Sequence, residues 1–218
     1  MIIGYFGLPG SGKTTFLTMI ARKELKRIQK GTSKYEKVLT NFYCEGTYHV
    51  DYKDLGCYKI ENCLILLDEI TLDADSRAYK FFSDEKKMFF ILHRHFNCDL
   101  IYFTQQWDGV DKKIRDLTSD LFYVKKAFSN VKGLLFKPFQ CFSVARRIYR
   151  TLEINEYTKQ IVTGYRFPTW FERFFGTTKQ FCFRPRWYKF FDSWDIPVEL
   201  PEYDFIEWLL VDDSGEVA

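Results

Sequence analysis

The chain has 218 residues, of which 46% are hydrophobic and 19% aromatic, enough to build one α/β domain with an appendage and too apolar for a disordered chain. The net charge is only +3, but all 32 lysines and arginines lie in residues 1–189, and nine acidic residues follow them. A basic body of this kind suits a polyanionic partner, although a solvated surface covered by the acidic tail fits the same charge pattern.

Strands and helices are predicted to alternate along the first 126 residues. Apolar runs predict strands, and apolar residues at helical spacing predict helices. The predicted strands cover residues 1–6, 38–42, 63–67, 100–104 and 121–125, and the predicted helices cover residues 13–29 and 77–92. Residues 43–61 are expected to be irregular. The alternation indicates an α/β fold with a central, mostly parallel sheet flanked by helices.

The pattern changes after residue 126. Residues 139–153 and 157–164 have the character of antiparallel strands, and from residue 168 onward short aromatic-rich pieces are interrupted by prolines. We therefore predict a core over residues 1–126. Residues 127–218 are predicted to be a small, β-rich, aromatic extension of the same domain that ends in an acidic tail.

The first predicted strand and helix are joined by GLPGSGKT, a complete GxxxxGK[ST] motif, which is the P-loop of ATP-binding proteins. Its glycines let backbone N–H groups turn inward around phosphate oxygens, and the positive end of the helix dipole adds to the attraction. Lys13 is expected to reach the β- and γ-phosphates, and the Thr14 hydroxyl to hold Mg²⁺. The predicted ATP-binding residues are Gly7, Leu8, Pro9, Gly10, Ser11, Gly12, Lys13, Thr14 and Thr15.

The apolar run over residues 63–67 ends in two acids, Asp68 and Glu69. A buried strand that ends in this way beside a P-loop predicts that Asp68 binds Mg²⁺ through water and that Glu69 polarises the attacking water. The pair therefore indicates an ATPase of the ASCE or RecA-like type. It argues against small GTPases and kinases.

Two further catalytic candidates flank the strand predicted over residues 100–104. Gln105 follows its carboxyl end, where a polar side chain can contact the γ-phosphate or the attacking water; a loop hydrogen bond is the alternative. Arg94 precedes the strand, so we expect it to reach a neighbouring subunit's nucleotide as an arginine finger, or else to be a surface or DNA-facing arginine. His93 and His95 are interpreted as polar loop residues and not as metal ligands.

The succession of motifs resembles the Zot-type ATPase domain. That family includes the gene I assembly proteins of filamentous phages and belongs to the FtsK–HerA group of ring-forming, DNA-pumping ATPases. The motifs that carry the resemblance are GLPGSGKTT, VLTNF, LILLDE, HRH, LIYFTQQ and IRDLTSDLFYVKK. The resemblance implies a hexameric ring, with Gln105 as a sensor and Arg94 as a finger supplied in trans. It also implies that Lys13, Thr14, Asp68 and Glu69 lie at the nucleotide.

Two functional hypotheses remain open at this point. The first is an ATP-hydrolysing, DNA-translocating motor for phage or viral genome packaging or virion assembly, with single-stranded genome DNA and capsid, coat or export proteins as partners. The second is a non-motor assembly or export protein switched by nucleotide. A small-molecule kinase is disfavoured because Glu69 occupies the place of a hydrolytic base. Filamentous-phage members usually carry a membrane span after this domain, and the given sequence contains none. That leaves two alternatives: a cytosolic packaging ATPase of another small phage or virus, or a longer protein cut before its span. We expect a location in the host cytoplasm, at the inner membrane face or with the virion.

The candidates for DNA contact lie mostly in the predicted extension. The basic ones are Lys125, Lys126, Lys132, Lys137, Arg146, Arg147 and Arg150. Residues 181–191 interleave Arg184, Arg186 and Lys189 with Trp187, Tyr188 and Phe190. That mixture suits stacking on single-stranded bases, and equally suits packing against the core or a neighbouring subunit. Three roles stay possible for Arg115: a second arginine that acts on a neighbouring subunit, a contact to phosphate, or a plain surface charge.

Overall fold

A computed structural model of the protein describes residues 1–70, 84–127, 141–154, 161–175 and 178–191. Its strands are β1 (Ile2–Phe6), β2 (Lys37–Thr40), β3 (Tyr48–His49), β4 (Cys63–Leu67), β5 (Asp99–Thr104), β6 (Asp120–Lys126), β7 (Phe142–Ile154), β8 (Ile161–Arg166) and β9 (Lys179–Phe183). Its helices are α1 (Lys13–Gln29), α2 (Asp84–Leu92), α3 (Lys112–Leu117) and α4 (Trp170–Phe175). Short 3₁₀ turns lie at Tyr52–Asp54, Arg184–Arg186 and Tyr188–Phe190.

Several predictions concern residues outside the described part of the chain. They are the first part of the helix predicted over 77–92, the DNA candidates Lys132 and Lys137, the start of the strand predicted over 157–164, and the acidic tail from residue 192 onward. Among the described helices, none combines the length and the apolar character that a bilayer crossing needs.

The described strands form one sheet in the order β3-β2-β4-β5-β1-β6-β7-β8, and β9 also pairs with β7. The six strands from β3 to β6 in that order are parallel. Strand β5 thus lies between β1, which leads into the P-loop, and β4, which leads into Asp68. The predicted mostly parallel sheet is confirmed, and the carboxyl ends of its strands meet along a single edge.

Both faces of the sheet are covered, which explains why β4 is apolar at every position. Leu64 and Leu66 point to the face that α1 covers, and Ile65 and Leu67 point to the opposite face, because successive side chains of a strand alternate. All five residues of β4 are buried. The sheet therefore sits between two apolar clusters, with the P-loop edge left open to solvent.

Helix α1 carries the P-loop at its amino end and stops cleanly at its carboxyl end. Gly31 has a φ of 66°, a left-handed conformation that glycine adopts without steric cost. Its N–H donates to the Ile28 carbonyl at 2.9 Å, and the Thr32 N–H donates to the Arg27 carbonyl at 2.9 Å. This pair of bonds is a Schellman motif, so the sequence Lys-Gly-Thr ends the helix.

The extension continues the sheet. Strand β7 is antiparallel to β6, and β8 and β9 are antiparallel to β7. Tyr5 ties this region to the centre of the sheet: its ring stacks on Phe103 and Phe122 at centroid distances of 4.5 and 4.9 Å, and its hydroxyl donates to Gln180 Oε1 at 3.0 Å. Helix α4 and strand β9 are not among the predicted elements.

Candidate functional site

The P-loop connects β1 to α1 at the open edge of the sheet. The Gly7 N–H donates to the Thr104 carbonyl at 3.2 Å, and the Phe16 N–H donates to the Gly12 carbonyl at 3.0 Å to start α1. The buried Ser143 hydroxyl of β7 donates to the Ser11 carbonyl at 2.7 Å. The loop is therefore held from the sheet, from the helix and from the extension.

Two glycines of the loop leave no room for a side chain. A Cβ on Gly7 would lie 2.4 Å from the Val124 carbonyl oxygen, which is a backbone atom and cannot move away easily. Gly12 has a φ of 87°, and a Cβ there would lie 2.5 Å from Ser143 Oγ and 2.7 Å from Arg184 Cδ. The glycines thus permit both the turn and the close approach of the extension to it.

Lys13 is the buried cation of this loop. Its ammonium group donates to the Gly7 carbonyl at 3.0 Å and to the Leu8 carbonyl at 3.3 Å. Burial lowers the pKa of Lys13, and the carboxylates of Glu69 and Asp68 oppose that change. The lysine is thus held over the loop with two acids close enough to favour its charged form.

Thr14 and Asp68 meet directly, with the Thr14 hydroxyl donating to Asp68 Oδ2 at 2.5 Å. Burial raises the pKa of Asp68, the hydrogen bond from Thr14 lowers it, and the charge of Glu69 raises it further. Asn41, at the end of β2, fixes the backbone of Asp68: its amide donates to the Asp68 carbonyl at 2.8 Å and accepts from the Asp68 N–H at 2.7 Å. A carboxylate in these surroundings gains much from a nearby cation.

Glu69 and Gln105 lie side by side at the ends of β4 and β5. The Gln105 N–H donates to Glu69 Oε1 at 3.2 Å. Glu69 has a φ of 48°, which is unusual for a residue with a side chain and is a form of backbone strain found at functional sites. The bond that Gln105 makes is with its backbone, so its exposed side chain stays available to the cleft.

These side chains line a cleft of about 630 Å³, a volume suited to a nucleotide. The lining residues are Pro9, Gly10, Gly12, Lys13, Thr14, Thr15, Asp68, Glu69, Gln105, Arg184, Tyr188 and Phe191. The residues present fit MgATP. Thr14 and Asp68 offer adjacent oxygen ligands of the kind that Mg²⁺ prefers, and the loop offers a lysine and the amino end of α1.

Most of the predicted site residues converge at this cleft, but Arg94 does not. Arg94 is exposed in the turn between α2 and β5, at the amino edge of the sheet and away from the cleft of its own chain. The neighbouring His93 is buried, and its Nδ1 contacts the Phe90 carbonyl at 2.8 Å. Arg115 lies in α3 and pairs with Asp108 at 3.1 Å.

Several of the DNA candidates are engaged within the chain. The Arg147 guanidinium pairs with Asp120, and the Arg150 guanidinium donates to the Arg115 carbonyl. Trp187 is buried in the core next to α1, which rules it out as an exposed stacking platform. Lys126 approaches the P-loop, with Nζ 3.8 Å from the Cβ position of Gly10.

Sequence reasoning missed several residues at the site. Asn41 follows a parallel strand in the same way as Gln105, so the same argument about strand ends identifies it. Ser143, Arg184, Tyr188 and Phe191 reach the loop through pairings distant in sequence, and no local motif signals such contacts.

The fold and the cleft together define a P-loop NTPase fold, as the motif order predicts. The family model for zonular occludens toxin (Zot) matches residues 18–166, more than half of the chain. The chain belongs to the Zot family. The P-loop lies before the matched range, so its assignment comes from the motif and the fold.

Among solved structures, the chain is similar to the N-terminal domain of zonular occludens toxin from Neisseria meningitidis, with 15% identity, coverage of 78% of this chain and 94% of that chain, and a TM-score of 0.47. It is also similar to the genome packaging NTPase B204 of Sulfolobus turreted icosahedral virus 2, with 11% identity, 74% and 95% coverage and a TM-score of 0.42. The flagellar accessory protein FlaH from Methanocaldococcus jannaschii matches with 10% identity, 75% and 88% coverage and a TM-score of 0.41. No curated protein matches the chain significantly.

Proposed function

We propose that this protein hydrolyses MgATP and uses the energy to move DNA during phage or viral genome packaging or virion assembly, acting as a ring. The observation that carries the proposal is the convergence of Lys13, Thr14, Asp68, Glu69 and Gln105 at one cleft. A P-loop alone binds nucleotide. The carboxylate pair that follows β4, which is separated from β1 by β5, adds the groups that hydrolysis needs.

The residues divide the chemistry between them. Lys13 neutralises phosphate charge, and Thr14 with Asp68 would hold Mg²⁺, whose chemistry is to polarise the phosphates. Glu69 orients and deprotonates the attacking water, and Gln105 contacts the γ-phosphate or that water. The left-handed backbone of Glu69 turns its carboxylate toward Gln105, which supports this division.

In a ring, a neighbouring subunit supplies a second positive charge at the transferring phosphoryl group. Transferring a phosphoryl group benefits from a cation opposite Lys13, and an arginine from a neighbouring subunit is one source. Arg94 is exposed and lies at the edge of the sheet opposite its own cleft, a position that fits donation to a neighbour. We therefore assign Arg94 as the finger in trans within a hexameric ring of the FtsK–HerA type.

Mixing two inactive variants tests this assignment. Lys13→Ala lacks the phosphate lysine but keeps Arg94, and Arg94→Ala has the reverse defect. Mixed rings contain some interfaces with both residues intact, so phosphate release should reappear when the two are combined. Arg27→Ala, which removes an exposed arginine outside the cleft, serves as the control and should retain activity. A mixture that stays as inactive as its components would contradict a site shared between subunits.

The DNA contacts are expected to be sequence-independent and made to phosphates. Single-stranded DNA should therefore stimulate ATP hydrolysis, and rising salt should weaken the stimulation. The mass in solution, measured with and without ATP and single-stranded DNA, should increase to that of a ring. A monomer under every condition, with hydrolysis indifferent to DNA, would remove the motor from consideration.

A second candidate is a nucleotide switch that binds a coat or export protein. The observation that favours it is the exposed aromatic surface of α4, formed by Trp170, Phe171 and Phe174. Lys13→Ala separates the two functions. If the protein is a motor, Lys13→Ala should still form the ring but should no longer transport DNA. If the protein is a switch, Lys13→Ala should no longer bind the coat or export protein.

A further inference from the structure

The segment 184–191 lies against the nucleotide cleft. Arg184, Tyr188 and Phe191 line the same cleft as Gly12 and Lys13. The sequence made this segment a candidate for contact with single-stranded DNA. The structure instead brings three of its side chains to the P-loop of the same chain.

Buried residues of the segment fix it on α1. Trp187 is buried in the core, and its ring packs on Phe190 at a centroid distance of 6.3 Å. The Arg22 guanidinium of α1 lies 4.1 Å from the centroid of the Phe190 ring. The Phe190 carbonyl accepts from the Glu45 N–H at 3.1 Å. These anchors leave Tyr188 and Phe191 on the side that faces the cleft.

The aromatic pair has the shape of a base-binding wall. The rings of Tyr188 and Phe191 are 6.4 Å apart and inclined by 61°. A planar base can stack on one ring and contact the edge of the other, and every base offers a face for such stacking. Tyr188 is 48% exposed, so a base would cover apolar surface that is otherwise in water.

Arg184 brings a second cation to the loop. Its Cδ lies 2.7 Å from the Cβ position of Gly12, so its side chain crosses the amino end of α1. The positive end of the helix dipole and Lys13 lie at the same place, and together with Arg184 they form a set of positive groups that suits the phosphates of a nucleotide.

We propose that segment 184–191 completes the nucleotide site, with Tyr188 and Phe191 binding the base of a nucleoside triphosphate and Arg184 binding its phosphates. The inference deepens the proposed function and rests on its claim that the cleft binds ATP. It gives the extension a role in substrate binding within the same subunit.

Two probes separate the contributions of base and phosphate. AMPPCP, which carries a base, and inorganic tripolyphosphate, which does not, are titrated calorimetrically into the full-length protein with Mg²⁺. Tyr188→Ala should weaken AMPPCP binding about tenfold, the order expected for loss of one stacking contact, and should leave tripolyphosphate binding unchanged. Arg184→Gln should weaken both probes about tenfold. Arg186→Gln, on the same turn but outside the cleft, should change neither.

A second aromatic variant and a measurement of stability distinguish loss of the base contact from loss of the fold. Phe191→Ala should repeat the selective loss for AMPPCP, and thermal denaturation reports whether each variant is folded. Equal AMPPCP binding by wild type, Tyr188→Ala and Phe191→Ala would overturn the base contact. Equal losses in Arg184→Gln and Arg186→Gln would overturn the phosphate contact.

The proposed function and this inference fail differently. If the variants show the selective losses above yet the wild type releases no phosphate, the inference stands and the motor does not. If the wild type hydrolyses ATP with DNA stimulation while both aromatic variants bind AMPPCP normally, the motor stands and the inference does not.

Discussion

Replacing Glu69 by glutamine tests the catalytic carboxylate with little change in shape. Glutamine keeps the side-chain length and keeps an oxygen that can accept the 3.2 Å bond from the Gln105 N–H. It removes the negative charge and the ability to take a proton from water. The fold and the cleft should therefore persist while the chemical step slows.

The size of the effect follows from what is lost. General-base catalysis contributes about 10²–10⁴-fold, so phosphate release by Glu69→Gln should fall at least about a hundredfold. ATP affinity should be unchanged or higher, because one carboxylate no longer repels the triphosphate. The pKa of Lys13 loses its leading upward contribution, which is the charge of Glu69, and should shift down.

The assay pairs steady-state phosphate release with the Kd of a fluorescent ATP analogue. Glu61→Gln, which removes an exposed carboxylate outside the cleft, is the matched control and should match the wild type in both measurements. Hydrolysis by Glu69→Gln within tenfold of the wild-type rate would refute the assignment of Glu69 as the base. A large loss of affinity would show that Glu69 acts in binding instead.

Three further predictions concern the support of the site. Gly12→Ala and Gly31→Ala both place a side chain at positive φ, which should cost about 1–2 kcal/mol of stability in thermal denaturation. Gly12→Ala should cost more, because its Cβ would also lie 2.5 Å from Ser143 Oγ, whereas the Gly31 position is open. Only Gly12→Ala should abolish ATP binding, because Gly31 lies beyond the carboxyl end of α1 and outside the cleft; equal ATP binding by both variants would contradict this. Ser143→Ala removes the 2.7 Å hydrogen bond to the Ser11 carbonyl and should cost about 1 kcal/mol of stability. It should also raise the KM for ATP, because the extension no longer holds the P-loop through this bond. An unchanged KM would show that the extension does not support the loop. Burial acts to raise the pKa of Asp99, but hydrogen bonds from Lys34, the amino terminus and Tyr35 outweigh it and hold the pKa at about 2. Asp99 is therefore expected to stabilise the protein above pH ~4 and to lose this contribution as the pH falls toward ~2, so the stability gap to Asp99→Asn, about 2 kcal/mol at neutral pH, should close across that range; a gap independent of pH would contradict it.

The sequence predicts the position of the cleft well, because each candidate site residue at that edge of the sheet directly follows an apolar strand. Asp68, Glu69 and Gln105 need only the rule that parallel strands end at a common edge. The assignment of Arg94 to the opposite edge follows from the same rule, since it precedes its strand. The family match supports the resemblance that these motifs carry.

The extension was harder to predict for a physical reason. Strand β9 pairs with β7 across more than thirty residues, and its sequence KQFCF gives no clear period for burial. Ser143 and Arg184 reach the P-loop only because β7 begins and β9 ends beside it, and this depends on the register between segments that are distant in sequence. Trp187 is buried, whereas its neighbour Tyr188 is exposed at the cleft. The amino-acid composition of the segment does not predict which of the two aromatic residues is buried.

The most direct test of the account is Mg²⁺-dependent phosphate release from ATP by the wild type and by Lys13→Ala, each with and without single-stranded DNA. The account predicts release by the wild type that DNA stimulates and that Lys13→Ala abolishes under both conditions. Release that is the same in the two proteins, or the absence of release from a folded wild type with DNA present, would contradict it.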